Sequence, residues 1–177
     1  SSDLNFEKAL FGRGATPKLT TSGPVMAMER VIPADWTDYN GHTNDSRYSQ
    51  LSSEASDCFF RSIGFTDAYL ASGRTFYTVE SHIRFLDQTH QGDKVKVMVT
   101  VASYDEKRIH LWTEIVREDG VVAATGEHLF LHVDTKTGKT SPMGADMLAA
   151  LKPIGDAHAK LPKPVGIGRR VGEKPAS

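Results

Sequence analysis

The chain has one cysteine, Cys58, in 177 residues. An internal disulfide framework is therefore excluded, and a reducing cytoplasm is the expected setting. Cys58 lies in the apolar run Cys58-Phe59-Phe60, far from any helix start, so it reads as a small packed hydrophobe rather than a nucleophile. No apolar run approaches the roughly 18 residues that cross a bilayer, so no membrane association is expected. The net charge is only -1, and nothing in the balance draws the chain to nucleic acid. The histidines show no spacing with acidic residues or with Cys58 that suggests a metal site, and no Gly-x-Ser-x-Gly elbow is present. Ser1–Asn5 have neither a basic start nor an apolar stretch, so no secretory signal is expected. The absent initial methionine points to processing or to a cut from a longer chain.

What is present suffices for one domain: 39% of the residues are hydrophobic. Residues 1–24 mix Gly, Pro, Ser and Thr without periodicity and read as an arm or linker. Val25–Ile32 is a strand signal. Asn44–Ile63 is a helix signal, because Tyr48, Leu51, Ala55, Cys58 and Phe59 recur at helical spacing. Asn44 or Asp45 is placed to cap its start and Gly64 to end it. Strand signals follow around Tyr77–Phe85, Val95–Val101, Ile109–Ile115 and Val121–Val133, joined by short turns such as Gln91-Gly92-Asp93 and Asp119-Gly120. Short connections imply antiparallel neighbours. The expected fold is α+β, one long helix wrapped by an antiparallel sheet of about five strands over residues 25–140. Residues 141–177 are expected to hold a short helix, Met143–Leu151, and a flexible basic tail.

The stretch Asp38-Tyr39-Asn40-Gly41-His42-Thr43-Asn44 stands between the first strand and the long helix. It places a carboxylate, a glycine turn and a helix start within seven residues. The N–H groups of a helix start carry partial positive charge and suit an oxyanion, with Asn44 and Asp45 the expected donors. Asp38 just upstream suits the role of base or nucleophile, although an aspartate that only caps a turn looks the same in sequence. Gly41 serves the backbone turn. His42 either orients Asp38, meets the substrate, or bonds to the turn. Glu54 is a reserve carboxylate on the helix. Trp36, Tyr39, Tyr77 and Trp112 form a candidate aromatic lining, and aromatic faces attract quaternary ammonium groups.

With Asp45 added, the same motif resembles that of the hotdog acyl-CoA thioesterases of the 4-hydroxybenzoyl-CoA thioesterase type. Those enzymes carry Asp-x-x-Gly at the entry to the long helix, and their catalytic aspartate matches Asp38. The resemblance runs from about Val25 to Val133 and includes Ser81-His82-Ile83-Arg84-Phe85-Leu86 and the Gly92-Asp93 turn. Asp35-Trp36-Thr37-Asp38-Tyr39-Asn40-Gly41-His42 looks most like the betainyl-CoA thioesterases of carnitine breakdown, which occur alone or fused to a carnitine dehydrogenase. The chain departs from the pattern at Thr43, where an apolar residue is expected, and at Trp36, where related thioesterases often carry an acid.

The resemblance implies hydrolysis of a small acyl-CoA to a carboxylic acid and free CoA, with no cofactor other than the CoA of the substrate. It also implies a homodimer or larger assembly, and a carnitine dehydrogenase as a fused or working partner. Two other functions fit the same residues: a hydratase or dehydratase on the same fold, and a non-catalytic binder of CoA esters.

Overall fold

A computed structural model of the chain describes residues 16–174. Most of the expected N-terminal arm, residues 1–15, and the last three residues lie outside it. The strands are β1 (Val25–Val31), β2 (Arg74–Phe85), β3 (Lys94–Tyr104), β4 (Arg108–Arg117), β5 (Val122–Asp134) and the two-residue β6 (Lys139–Thr140). The helices are α1 (Asp45–Ser62), α2 (Asp67–Ala71) and α3 (Ala145–His158). The sheet runs β1-β3-β4-β5-β2, antiparallel throughout, with β6 paired to β5. It curls around α1 in the hotdog arrangement, as the sequence leads one to expect.

Helix α1 keeps the limits its signals predict. The Asn44 side chain accepts a hydrogen bond from Ser46 N–H at 3.0 Å. At the other end Gly64 takes φ +108°, Phe65 N–H reaches Phe60 O at 3.0 Å and Gly64 N–H reaches Arg61 O at 3.1 Å. That is the paired closure a left-handed glycine permits. The predicted stripe Tyr48, Leu51, Ala55, Cys58 and Phe59 is buried against Val95, Val97, Val99, Ile109, Leu111 and Ile115 of the sheet. Cys58 is packed as expected, and burial pushes its thiol pKa up.

Strand β2 departs from simple alternation. Its register with β5 shifts between Thr78 and Glu80, so one residue is extra on the β2 side. Phe76, before the shift, stacks on Phe60 of α1 with ring centroids 4.4 Å apart. Ser81, after it, faces the helix side: its hydroxyl meets His128 Nδ1 at 2.8 Å. From His128 a polar chain continues through Thr113 to Ser52 of α1. The inward phase thus changes from even to odd residues across the bulge. Tyr77 is turned to the outer face, while Ile83 and Phe85 fall on the inner phase.

The C-terminal helix is longer than its signal. Met143–Leu151 was the expected span, yet α3 runs Ala145–His158, with Met147, Leu151 and Ile154 buried. Pro153 inside the helix is exposed and does not stop it. His158 accepts from Val101 N–H at 2.9 Å and also contacts Gly23 O at 2.9 Å, tying the helix end to β3 and the entry to β1. The following segment was expected to be loose. Instead residues 161–169 lie over the outer face, where Gly168 N–H donates to Glu127 Oε2 at 2.8 Å. A composition rich in Pro, Gly and basic residues gives no sign of this, because the contacts that order the segment are made with distant strands.

Candidate active site

The Asp38 loop is built by its own backbone. Asp38 N–H donates to His42 O at 2.8 Å, and Gly41 N–H returns to Asp38 O at 3.0 Å. Gly41 takes φ +76°, a conformation that side chains disfavour. Asp38 Oδ1 accepts from Asn40 N–H at 2.8 Å and from His42 N–H at 3.4 Å. One carboxylate oxygen therefore caps the turn. No hydrogen bond to Oδ2 occurs among the described residues, so the second oxygen is available for chemistry.

The loop is fastened to the rest of the fold through hydroxyl groups. Thr43 N–H donates to Thr89 O at 2.9 Å, and Asn44 N–H donates to Trp36 O at 2.8 Å. Thr89 and Thr43 hydroxyls meet at 2.6 Å, and Tyr48 OH lies 3.0 Å from Thr89 Oγ1. Thr43 and Thr89 are buried in this contact. A polar residue at 43, where the family pattern leads one to expect an apolar one, thus has a partner of its own.

Asp38, Tyr39, His42, Thr43, Asn44, Asp45 and Tyr48 line one cleft of about 360 Å³ together with Phe85, Asp87 and Gln88. Of the two expected N–H donors, Asn44 is already committed to Trp36. Asp45 N–H meets no acceptor among the described residues. Asp45 Oδ1 accepts from Ser46 N–H at 2.8 Å. His42 packs edge-on against His90, centroids 5.2 Å apart.

The expected aromatic lining is not brought together. Tyr39 reaches the cleft and is exposed at its rim. Trp36 is buried, with the Arg30 guanidinium 4.1 Å and that of Arg47 5.3 Å from its ring centroid, so a ligand cation meets a ring that arginines already cover. Tyr77 alternates with the inward Phe76 and so lies on the outer face. Trp112 alternates with Thr113, which faces α1, so Trp112 is also on the outer face, bonded to Glu114. The rings that do line the cleft with Tyr39 are Tyr48 and Phe85, edge to face at 5.6 Å. Sequence reasoning missed both. Helical spacing places Tyr48 in the core stripe, and Phe85 joins the cleft only through long-range folding.

Glu54 stands apart from the cleft. Its Oε2 accepts from Arg30 at 2.7 Å and its Oε1 from Gln50 at 2.9 Å. One turn further, burial and the neighbouring Glu54 push the Asp57 carboxyl pKa up to about 7.

Residues 32–151 match the model of the thioesterase-like superfamily, and the chain belongs to that family. Among curated relatives, the L-carnitine dehydrogenase/betainyl-CoA thioesterase of Rhizobium meliloti (strain 1021) is 44% identical over 173 residues, 96% of this chain and 35% of its own. The chain thus spans about a third of that relative's length. The betainyl-CoA thioesterase of Pseudomonas aeruginosa is 33% identical over 147 residues, 82% of this chain and 92% of its own. Among solved structures, a Staphylococcus aureus protein in complex with CoA superposes with a TM-score of 0.81 at 20% identity, covering 89% of this chain and 99% of its own. A DHNA-CoA thioesterase of the same organism gives 0.66 at 22% identity, covering 71% and 87%. At those identities the likeness shows the fold.

Proposed function

We propose that the protein hydrolyses the thioester of betainyl-CoA, releasing the acid and free CoA. The observation that supports this most is Asp38: one oxygen holds the loop, the other is unengaged in a cleft beside the uncapped N–H of Asp45. The carboxylate acts on the thioester carbonyl directly or through a water, and the Asp45 N–H stabilises the oxygen as it gains charge. The two routes share the same groups. No metal or further cofactor enters this reading. The names of the relatives support betainyl-CoA, and also a working link to a carnitine dehydrogenase.

The cleft chemistry supports a cationic acyl group. Its walls combine the rings of Tyr39, Tyr48 and Phe85 with the carboxylates of Asp38 and Asp45, and hold no lysine or arginine among the described residues; Asp87, also in the wall, is paired with Arg117 at 3.2 Å. Aromatic faces attract a trimethylammonium group by about 0.5–2 kcal/mol per contact. Catalytic efficiency on betainyl-CoA is therefore expected to exceed that on its tert-butyl isostere by about tenfold. The preference should shrink in Phe85→Leu and Tyr39→Ala and persist in Trp112→Phe. Equal efficiency on the two acyl groups would remove the cation site and leave thioester hydrolysis standing.

The same reading includes a twofold dimer. Among the described residues, strand β2 is an unpaired sheet edge of 12 residues with Tyr77, Val79 and Phe85 half-exposed on it. Long apolar edges invite pairing, and pairing β2 with its copy closes the assembly. Light scattering at micromolar concentration is expected to return twice the 19.4 kDa chain mass or a multiple of that. A monomer under those conditions contradicts this part of the proposal.

A further inference from the structure

The outer face of the sheet carries a second cluster of charged residues, separated from the Asp38 cleft by the sheet itself. Arg84 of β2 alternates with the inward Ile83 and Phe85, and Arg169 comes from the segment laid across the face. A methyl group built on Gly166 would sit 3.0 Å from Arg84 Nη1 and 3.9 Å from Arg169 Nη1, so both guanidinium groups come close to Gly166 and to each other. Arg169 Nε and Nη1 are buried without a hydrogen-bond partner among the described residues. Neither arginine has an ion pair among them.

Among the described residues the nearby acids form no ion pair with either arginine. Glu127 has both oxygens engaged, Oε1 with His110 Nε2 at 2.9 Å and Oε2 with Gly168 N–H at 2.8 Å. Glu80 shares the wall of the hollow with Arg169 and pairs with nothing among the described residues. Two like charges held side by side, one partly desolvated, are unfavourable unless an anion bridges them. Paired guanidinium groups are the usual recognition chemistry for phosphate.

We propose that Arg84 and Arg169 form a clamp for a phosphate-type oxyanion on the outer face of the sheet. The segment carrying Arg169 completes it and is fixed in turn by Gly168 on Glu127. The ligand is a phosphate group, either free or the 3′-phosphate of CoA.

The test is calorimetric titration of the whole chain with inorganic phosphate at pH 7.5, ionic strength being held constant with sodium chloride. Saturable binding is expected. It should weaken at least about tenfold in Arg84→Gln and in Arg169→Gln, as loss of a charged hydrogen bond implies. It should be unchanged in Arg170→Gln, next along the chain. Circular dichroism confirms that each variant is folded. A second arm compares CoA with dephospho-CoA. If the clamp takes the CoA phosphate, wild type prefers CoA and Arg169→Gln does not. If it takes free phosphate, the two nucleotides respond alike to the substitution while phosphate binding is lost. No saturable binding to wild type, or binding unaltered in both folded variants, overturns the clamp.

Discussion

Asp38→Asn is expected to lower thioester hydrolysis by at least about 10²-fold, the usual loss when a catalytic base is removed, without a change in melting temperature. The substitution is chosen for what it keeps. An asparagine side-chain oxygen still accepts from Asn40 and His42 N–H, so the turn that Asp38 Oδ1 organises survives. The other oxygen becomes an amide nitrogen, which neither attacks a carbonyl nor takes a proton from water. Asp38→Ala is the companion, because it removes the cap as well. If the carboxylate only holds the turn, asparagine should be nearly as active as wild type and alanine should be impaired in stability. If it acts on the thioester, both are inactive and alanine alone is less stable. Near-normal turnover by a folded Asp38→Asn would falsify the catalytic assignment.

Phe60→Ala is expected to destabilise the fold by about 3–5 kcal/mol, the range for removing a buried aromatic ring. Phe60 is 2% exposed. It stacks on Phe76 of β2 at 4.4 Å, meets Phe130 of β5 edge-on at 4.8 Å and contacts Phe59 at 6.2 Å. The ring joins the end of α1 to two strands at once, so its loss leaves a cavity that no single neighbour fills. Val171→Ala provides the contrast, since Val171 is 89% exposed. That change should cost under about 1 kcal/mol, as surface substitutions do. Equilibrium urea unfolding measures both. Similar losses from the two would mean that the Phe60 ring is not the packed joint described.

How far the sequence reveals this molecule depends on the range of the interactions involved. Helix α1 was legible because its stripe, its cap at Asn44 and its glycine stop all act within a few residues. The Asp38 loop was legible for the same reason. The β2 bulge was not, since Tyr77, Val79, Ile83 and Phe85 read as one alternating row until the partner strand is known. Trp112 is a different case. Ile109, Leu111 and Ile115 set an inward phase that excludes it, so strand parity already argued against a place beside the helix. Tyr48 and Phe85 entered the cleft, and Arg84 met Arg169, through contacts between distant segments that local periodicity does not encode.

The hydroxyl fastening of the Asp38 loop bears on when order is acquired. Residues 43 and 44 are tied to Thr89 and Trp36 by backbone bonds, and Tyr48 holds Thr89 from the helix. Freezing a loop costs roughly 1–2 kcal/mol per residue in backbone entropy. Here that cost falls on folding, because loosening the loop exposes or strands buried hydroxyls. On the proposed mechanism, substrate meets a carboxylate and an N–H that are already placed, and little of its binding energy goes into arranging them. The freedom that remains near the site belongs to Tyr39, which is 97% exposed at the tip of the same loop. The same mechanism then concentrates reorganisation on binding in one side chain at the rim, with the proposed reacting groups preorganised.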